Sequence, residues 1–117
     1  MAEMARFQEI LHRLAIIDER FIDERARLGA AAVGDVDPKV AALVRVGVLV
    51  ALGSPAVLLE WSISGALAAG ATEDEITDVL LAITPVIGLR QVVSATPDVA
   101  DALGYDIEAA LDDPDGH

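Results

Sequence analysis

The chain of 117 residues contains no cysteine. Without a thiol it can form no disulfide, thiolate nucleophile, thiol redox cycle or sulfur-ligated metal site. Basic residues are also scarce, because eight Lys and Arg stand against twenty Asp and Glu and give a formal net charge of -12. A surface of that sign repels phosphate backbones and anionic lipid headgroups. Peroxidase chemistry through cysteine is therefore excluded, and we expect no nucleic-acid partner.

The sequence also lacks an uninterrupted hydrophobic run of transmembrane length. Its first segment, residues 1–13, mixes Glu and Arg into the apolar residues, unlike a secretory signal. Residues 40–59 resemble a span most, but Arg45 interrupts them and the Gly-Ser-Pro at 53–55 divides them into two pieces. Each piece is too short to cross a hydrocarbon core of about 30 Å as a helix. We therefore expect no membrane partner and a cytoplasmic location.

Small aliphatic residues supply most of the hydrophobic content of the chain. The hydrophobic fraction is 54% although aromatic residues supply only 3%, and the mean hydropathy is +0.49. That hydropathy is high for a soluble monomer, while Ala, Val, Leu and Ile suit close helix packing. The length fits one domain with a core of its own.

The N-terminal part has the pattern of one amphipathic helix. Apolar residues recur at three- and four-residue steps from Phe7 to Leu28, with Glu and Arg on the other faces. We expect residues 1–33 to form this helix and a connector, residues 34–111 a helical core, and residues 112–117 a frayed acidic tail.

Helix-start signals divide the core into consecutive helices. An N-cap residue precedes a proline at Asp37-Pro38 and again at Ser54-Pro55, which predicts two helix starts, with the Ser54 hydroxyl accepting the N–H of Val57. Thr72 and Glu75 have the spacing of a capping box. The predicted helices run from Asp37 to about Leu52, from Ser54 to near Gly70, from Thr72 through Leu81, and from Leu89 to Leu103 with an interruption at Pro97, before a short turn at Asp106. With the N-terminal helix they predict an all-α bundle of five to six helices.

The stretch from Gly65 to Leu81, with Asp37-Pro38 before it and Gly88 after it, resembles the carboxymuconolactone decarboxylase and alkylhydroperoxidase D family. The resemblance extends from Asp37 to Asp106. Members with known chemistry place a glutamate in the second helix, a Cys-x-x-Cys at the helix turn and a histidine four residues further on. Decarboxylase members lack the dithiol but keep the histidine.

At the corresponding positions this sequence has Ala42 for the glutamate, Ser54 and Val57 for the cysteines, and Trp61 for the histidine. None of these side chains can carry the original role, since a serine without a base does not replace a thiolate and the others do not titrate near neutrality. The resemblance implies a carboxymuconolactone decarboxylase-like fold, an obligate homo-oligomer and a pocket near these positions. We expect a homotrimer or a homohexamer.

Arg45 and Glu60 are the candidate catalytic residues. Arg45 lies one helical turn from Ala42, so both face one cavity if the family placement holds, and a guanidinium there can bind a substrate carboxylate bidentately. Glu60 interrupts the next apolar helix and could move a proton. Alternatively the two side chains form a structural ion pair, within the subunit or across an interface, because an isolated buried charge is costly.

Trp61 and Ser64 are candidate substrate-binding residues on one face of the third helix. Trp61 could form an aromatic wall for a flat ligand, or it could fill the space that the family's histidine leaves open. Glu9 and His12 have the Glu-x-x-His spacing of carboxylate metal sites, but a single copy on a charged helix is better explained as a solvated face. We therefore expect neither a metal nor a cofactor.

Two functions remain open from the sequence. The first is a cofactor-free lyase or isomerase acting on a small carboxylic acid or lactone, in which Arg45 holds the carboxylate, Glu60 moves a proton, and Trp61 and Ser64 line the pocket. The alternative is a non-catalytic oligomeric small-molecule-binding or scaffold protein, in which Arg45 and Glu60 close an interface. A subunit that assembles with an active paralogue is a third interpretation.

Overall fold

A computed structural model describes residues 4–29 and 34–112, and the chain separates after Gly34 into two compact units. The predicted connector lies largely outside the described residues, and so does the tail beyond Asp112. Within the described ranges the structure contains seven helices and no strand: α1 (Arg6–Ala15), α2 (Glu19–Leu28), α3 (Pro38–Leu52), α4 (Ala56–Ala68), α5 (Glu73–Ile87), α6 (Leu89–Ala102) and α7 (Ile107–Leu111). The all-α prediction is confirmed, whereas the expected number of five to six helices was too low.

The N-terminal unit contains two helices where the apolar stripe predicted one. Ile17 adopts the left-handed region with φ 54° and stops α1. Asp18 then caps α2, because its carboxylate accepts the N–H of Phe21 at 3.2 Å. A stripe at helical spacing does not reveal such a break, since both helices keep the same apolar periodicity.

The ring of Phe21 contacts arginine side chains of both α1 and α2. The guanidinium groups of Arg13 and Arg25 lie 5.5 and 5.2 Å from the centre of its ring, which is cation–π distance. Arg13 also pairs with Glu9 at 2.9 Å. No residue of these two helices is buried.

The start of α3 confirms the first cap-plus-proline prediction. The Asp37 carboxylate accepts the N–H of Lys39 at 2.7 Å, and Pro38 occupies the first helical position. The helix ends at Gly53, whose φ of 64° is the left-handed conformation that glycine adopts most readily. After this turn the chain returns as α4, which packs against α3.

Helices α5 and α6 each continue through a proline, although Pro97 was expected to interrupt the second of them. Pro85 lies inside α5 and Pro97 inside α6, both on exposed faces. Each proline removes one helical N–H, but on an exposed face water can bind the carbonyl that loses its donor. The threonine before each proline donates its hydroxyl to the carbonyl four residues earlier, from Thr84 to Leu80 at 2.7 Å and from Thr96 to Val92 at 2.9 Å.

The core of the second unit lies among α3, α4, α5 and α6. Gly47 allows α3 and α5 to approach closely, since a Cβ added there would meet Val79 Cγ1 at 3.2 Å. The fully buried large side chains are Leu59, Ile63, Ile76, Val46 and Val50. None of the helices between residues 4 and 29 or 34 and 112 has the combined length and hydropathy that crossing a membrane requires.

The predicted capping box also links α5 to α3. Thr72 Oγ1 accepts the Glu75 N–H and Glu75 Oε1 accepts the Thr72 N–H, both at 3.0 Å. Glu75 Oε2 lies 3.0 Å from Lys39 Nζ. The hydrogen bond from Lys39, followed by that from the Thr72 backbone, lowers the pKa of the Glu75 carboxyl.

We predict that Glu75→Gln lowers the stability near neutral pH and that the deficit shrinks in acid. The folded state lowers the pKa of Glu75, so the carboxylate stabilises the fold above its unfolded pKa and loses that effect as the pH falls through the folded value. The amide oxygen of Gln can still accept the Thr72 N–H, which isolates the effect of charge. Urea unfolding of both proteins across the acid range measures this, with Glu73→Gln as the matched control. A deficit independent of pH would contradict the prediction.

We predict that Ile63→Ala lowers the free energy of unfolding by about 3 kcal/mol, because the substitution leaves a cavity among well-packed helices. Ile63 is fully buried, whereas Leu81 on α5 is 71% exposed. Leu81→Ala should change the same quantity by less than about 0.5 kcal/mol. Equal effects of the two substitutions in urea unfolding would show that the core is placed wrongly.

Candidate functional site

The turn between α3 and α4 holds the candidate site. Gly53 ends α3, and the Ser54 N–H donates to the Leu49 carbonyl at 3.1 Å. Pro55, not Ser54, is the N-cap of α4, and no side chain caps that helix. The prediction that the Ser54 hydroxyl accepts the Val57 N–H was therefore wrong, because helix α4 begins one residue later than the cap-plus-proline pattern indicated.

A small polar cavity lies beside this turn. Its volume is about 160 Å³, and it is lined by Leu49, Val50, Gly53, Ser54, Leu59, Gln91, Ser94, Ala95 and Asp98. Gln91 Nε2 donates to the Val50 carbonyl at 3.1 Å, which fixes α6 to the end of α3. The sequence did not indicate the α6 residues of this cavity, because no local motif marks which face of α6 will meet a turn nearly forty residues earlier in the chain.

Arg45 and Ala42 lie one turn apart on α3, and both are half-buried. The structure therefore leaves the arginine at the edge of the core, and this residue already has an interaction partner. Between residues 34 and 112 the structure shows no ion pair between Arg45 and Glu60, which is exposed on α4. The structural pair between them is thus not formed within one chain, while a pair across an interface stays a prediction.

Trp61 and Ser64 share the exposed side of α4. Trp61 is 69% exposed, so within the single chain it is not a core residue and fills no cavity. The interpretation of Trp61 as a core or cavity-filling residue was therefore wrong for the single chain. Ser64 is exposed as well. The expected set of Arg45, Glu60, Trp61 and Ser64 lies on two adjacent helices, but none of these residues lines the polar cavity or the apolar groove described next.

An apolar groove runs between α3 and α5. It has a volume of about 440 Å³, and its walls carry almost no polar surface. The lining residues are Val40, Leu43, Val44, Gly47, Val48, Ala51, Val79, Ala82, Ile83, Val86 and Ile87. The α3 residues of one wall recur at steps of three and four, and four of them are exposed in the single chain: Val40, Val44, Val48 and Ala51.

The Glu-x-x-His spacing of Glu9 and His12 does not lead to a metal site in the described part of the chain. Among residues 4–29 and 34–112 no group of three or more His, Asp or Glu side chains is placed to hold a metal ion. Glu9 instead forms the ion pair with Arg13. Both observations agree with a solvated helix face.

Residues 4–29 and 34–112 form helices and the segments that join them, and the chain contains no cysteine for thiol chemistry. The turn between α3 and α4 carries no pair of titratable side chains. The sequence model for the Carboxymuconolactone decarboxylase family matches residues 21–102, which is more than half of the chain. The protein therefore belongs to the carboxymuconolactone decarboxylase family, and it is not a cysteine peroxidase. The match begins in α2, further toward the N-terminus than the resemblance from Asp37. Comparison with curated proteins and with solved structures gave no match.

Proposed function

We propose that this member of the family is a non-catalytic, oligomeric binding or scaffold protein whose own copies cover the apolar surface of the core. The observation that carries the proposal is the open apolar groove between α3 and α5. Val44 and Val86, on its opposite walls, are 59% and 84% exposed. Burying a side chain of this type contributes about 1.5–3 kcal/mol, so a surface with several of them favours association strongly.

A second apolar surface lies on α4 and supports the same proposal. Val57, Leu58 and Trp61 are 48%, 42% and 69% exposed on this helix. Two separate apolar faces on one small unit are what a closed ring of copies requires, since each copy must present one face to each neighbour. We propose a homotrimer or a homohexamer on this basis.

Exposure argues against catalysis by Glu60 in the single chain. A carboxylate that acts as a general base works best in a site that excludes water, next to groups that hold the substrate. Glu60 is exposed and does not pair with Arg45 within residues 34–112. A binding or scaffold role requires only the exposed apolar surfaces. It does not require a water-excluding site around Glu60.

We predict that Val44→Glu and Val86→Glu each convert the oligomer into a monomer with unchanged helical content. Each substitution places a carboxylate in a surface that the proposal buries, where an unpaired charge costs several kcal/mol. Sedimentation velocity gives the mass, and far-ultraviolet circular dichroism checks the fold. Leu111→Glu is the matched control, because Leu111 is 78% exposed on α7 and lies outside the groove. A wild-type protein that sediments as a monomer in dilute buffer would refute the proposed assembly.

A cofactor-free lyase or isomerase is the second candidate, and the position of Arg45 favours it. This residue is half-buried among apolar neighbours of α3, where a guanidinium can hold a carboxylate of a small acid or lactone. In an oligomer, Glu60, Trp61 and Ser64 would also be enclosed by a neighbouring copy. The same residues can then form a dry pocket that a single chain does not contain.

We predict that the fluorescence of Trp61 separates the two candidates, since it is the sole tryptophan. With a lyase pocket, titration of the oligomer with small aromatic and lactone acids should give a saturable change that Arg45→Ala weakens at least about tenfold, through loss of a bidentate ion pair. Arg90→Ala is the matched control, since Arg90 is an exposed arginine on α6. Sedimentation of Arg45→Ala separates lost binding from lost assembly. If none of these acids changed the fluorescence, the lyase or isomerase would be excluded and the scaffold function would remain.

A further inference from the structure

The polar cavity beside the α3–α4 turn differs in character from the apolar groove. One wall is the end of α3 with its turn, and the other wall is a single face of α6. Gln91, Ser94 and Asp98 follow one another on α6 at steps of three and four residues, which places them side by side along the helix. Ser54 completes the polar lining from the opposite side.

Gln91 is held in place and leaves an acceptor available. Its Nε2 donates to the Val50 carbonyl at 3.1 Å. The same nitrogen is the atom that a Cβ added to Gly53 would meet at 3.0 Å, so the amide lies directly against the turn. The amide oxygen of Gln91, which is the acceptor of this side chain, can accept a hydrogen bond from a ligand.

The electrostatics of the cavity favour a positive charge. Asp98 is half-buried in its wall, and no Lys, Arg or His lines it. The C-terminal end of α3, which carries a partial negative charge from the helix dipole, forms the other wall. Between residues 34 and 112 neither Asp98 nor the hydroxyls of Ser54 and Ser94 have a side-chain hydrogen-bond partner. The cavity thus offers acceptors in excess, within a chain of net charge -12.

We propose that this cavity binds a small primary ammonium compound. An ammonium group has three donors, which match the Asp98 carboxylate, the Gln91 amide oxygen and a serine hydroxyl. A volume of about 160 Å³ corresponds to roughly five water molecules, so the ligand has only a few non-hydrogen atoms. A metal ion is a poorer match, because a single carboxylate supplies too little of the charge that a divalent cation needs. This site is separate from the Arg45 site and does not depend on the function proposed above.

The test uses ethanolammonium chloride as the probe and propan-1-ol as its neutral analogue of the same size. Full-length protein labelled with ¹⁵N is titrated at about 0.15 M salt, where weak surface attraction is largely screened. We expect saturable shifts of the backbone amides of Gly53 and Ser54 and of the Gln91 side-chain amide. A ligand of four heavy atoms should bind no tighter than tens of micromolar, so saturation in the millimolar range is expected. Propan-1-ol should leave these signals unchanged.

Variants identify the residues responsible. Asp98→Asn should weaken binding of ethanolammonium at least about tenfold, because it removes the charge-assisted hydrogen bond without changing the shape. Asp101→Asn removes an equal charge from the next turn of α6, outside this cavity, and should leave binding unchanged. Ser94→Leu keeps every charge but fills the cavity, and should abolish the shifts.

Three outcomes would overturn the proposal. They are a wild-type protein without saturable shifts, equal losses in Asp98→Asn and Asp101→Asn, and undiminished binding in Ser94→Leu. Circular dichroism checks that each variant is folded. If Asp98→Asn fails to fold, the comparison of ethanolammonium with propan-1-ol on the wild type and on Ser94→Leu still decides between a cation site and an ordinary surface crevice.

Discussion

The structure depends on one constraint: α3, α4 and α5 carry more apolar surface than a single four-helix core can bury. Its largest fully buried side chains are Val46, Val50, Leu59, Ile63 and Ile76. Other valines and leucines of the same helices are exposed because a helix turns its side chains in every direction, while a core contacts only one side of it; they include Val44, Val48, Leu52, Val57, Leu58, Leu81 and Val86. The groove between α3 and α5 and the exposed face of α4 both follow from this excess.

Close packing among small residues gives the core its shape and also opens the groove. Gly47 brings α3 toward α5 at the level of Val79, and the valines on either side of this contact are too short to close the space above it. Aromatic residues, which are few in this chain, would have filled such a space. The low aromatic content and the open groove are therefore connected.

The candidate site shows a separation between scaffold and chemistry. The family match covers α3, α4 and the turn between them, yet Ala42, Ser54, Val57 and Trp61 supply no group that titrates near neutrality. Beside Ser54, the polar groups at this turn come from α6, through Gln91, Ser94 and Asp98. A fold can keep its helices while its polar chemistry moves to a neighbouring element, because packing and reactivity depend on different side chains.

Sequence alone determined the helical class, the starts of α3 and α5, and the exclusion of thiol chemistry. Those features depend on local hydrogen bonds, as at Asp37 and the Thr72–Glu75 box, or on composition. Tertiary structure decided the break at Ile17, the exposure of Trp61 and the meeting of Gln91 with Val50. These depend on contacts between residues far apart in the chain, or on backbone conformations that the same apolar spacing permits equally well, so no local pattern specifies them.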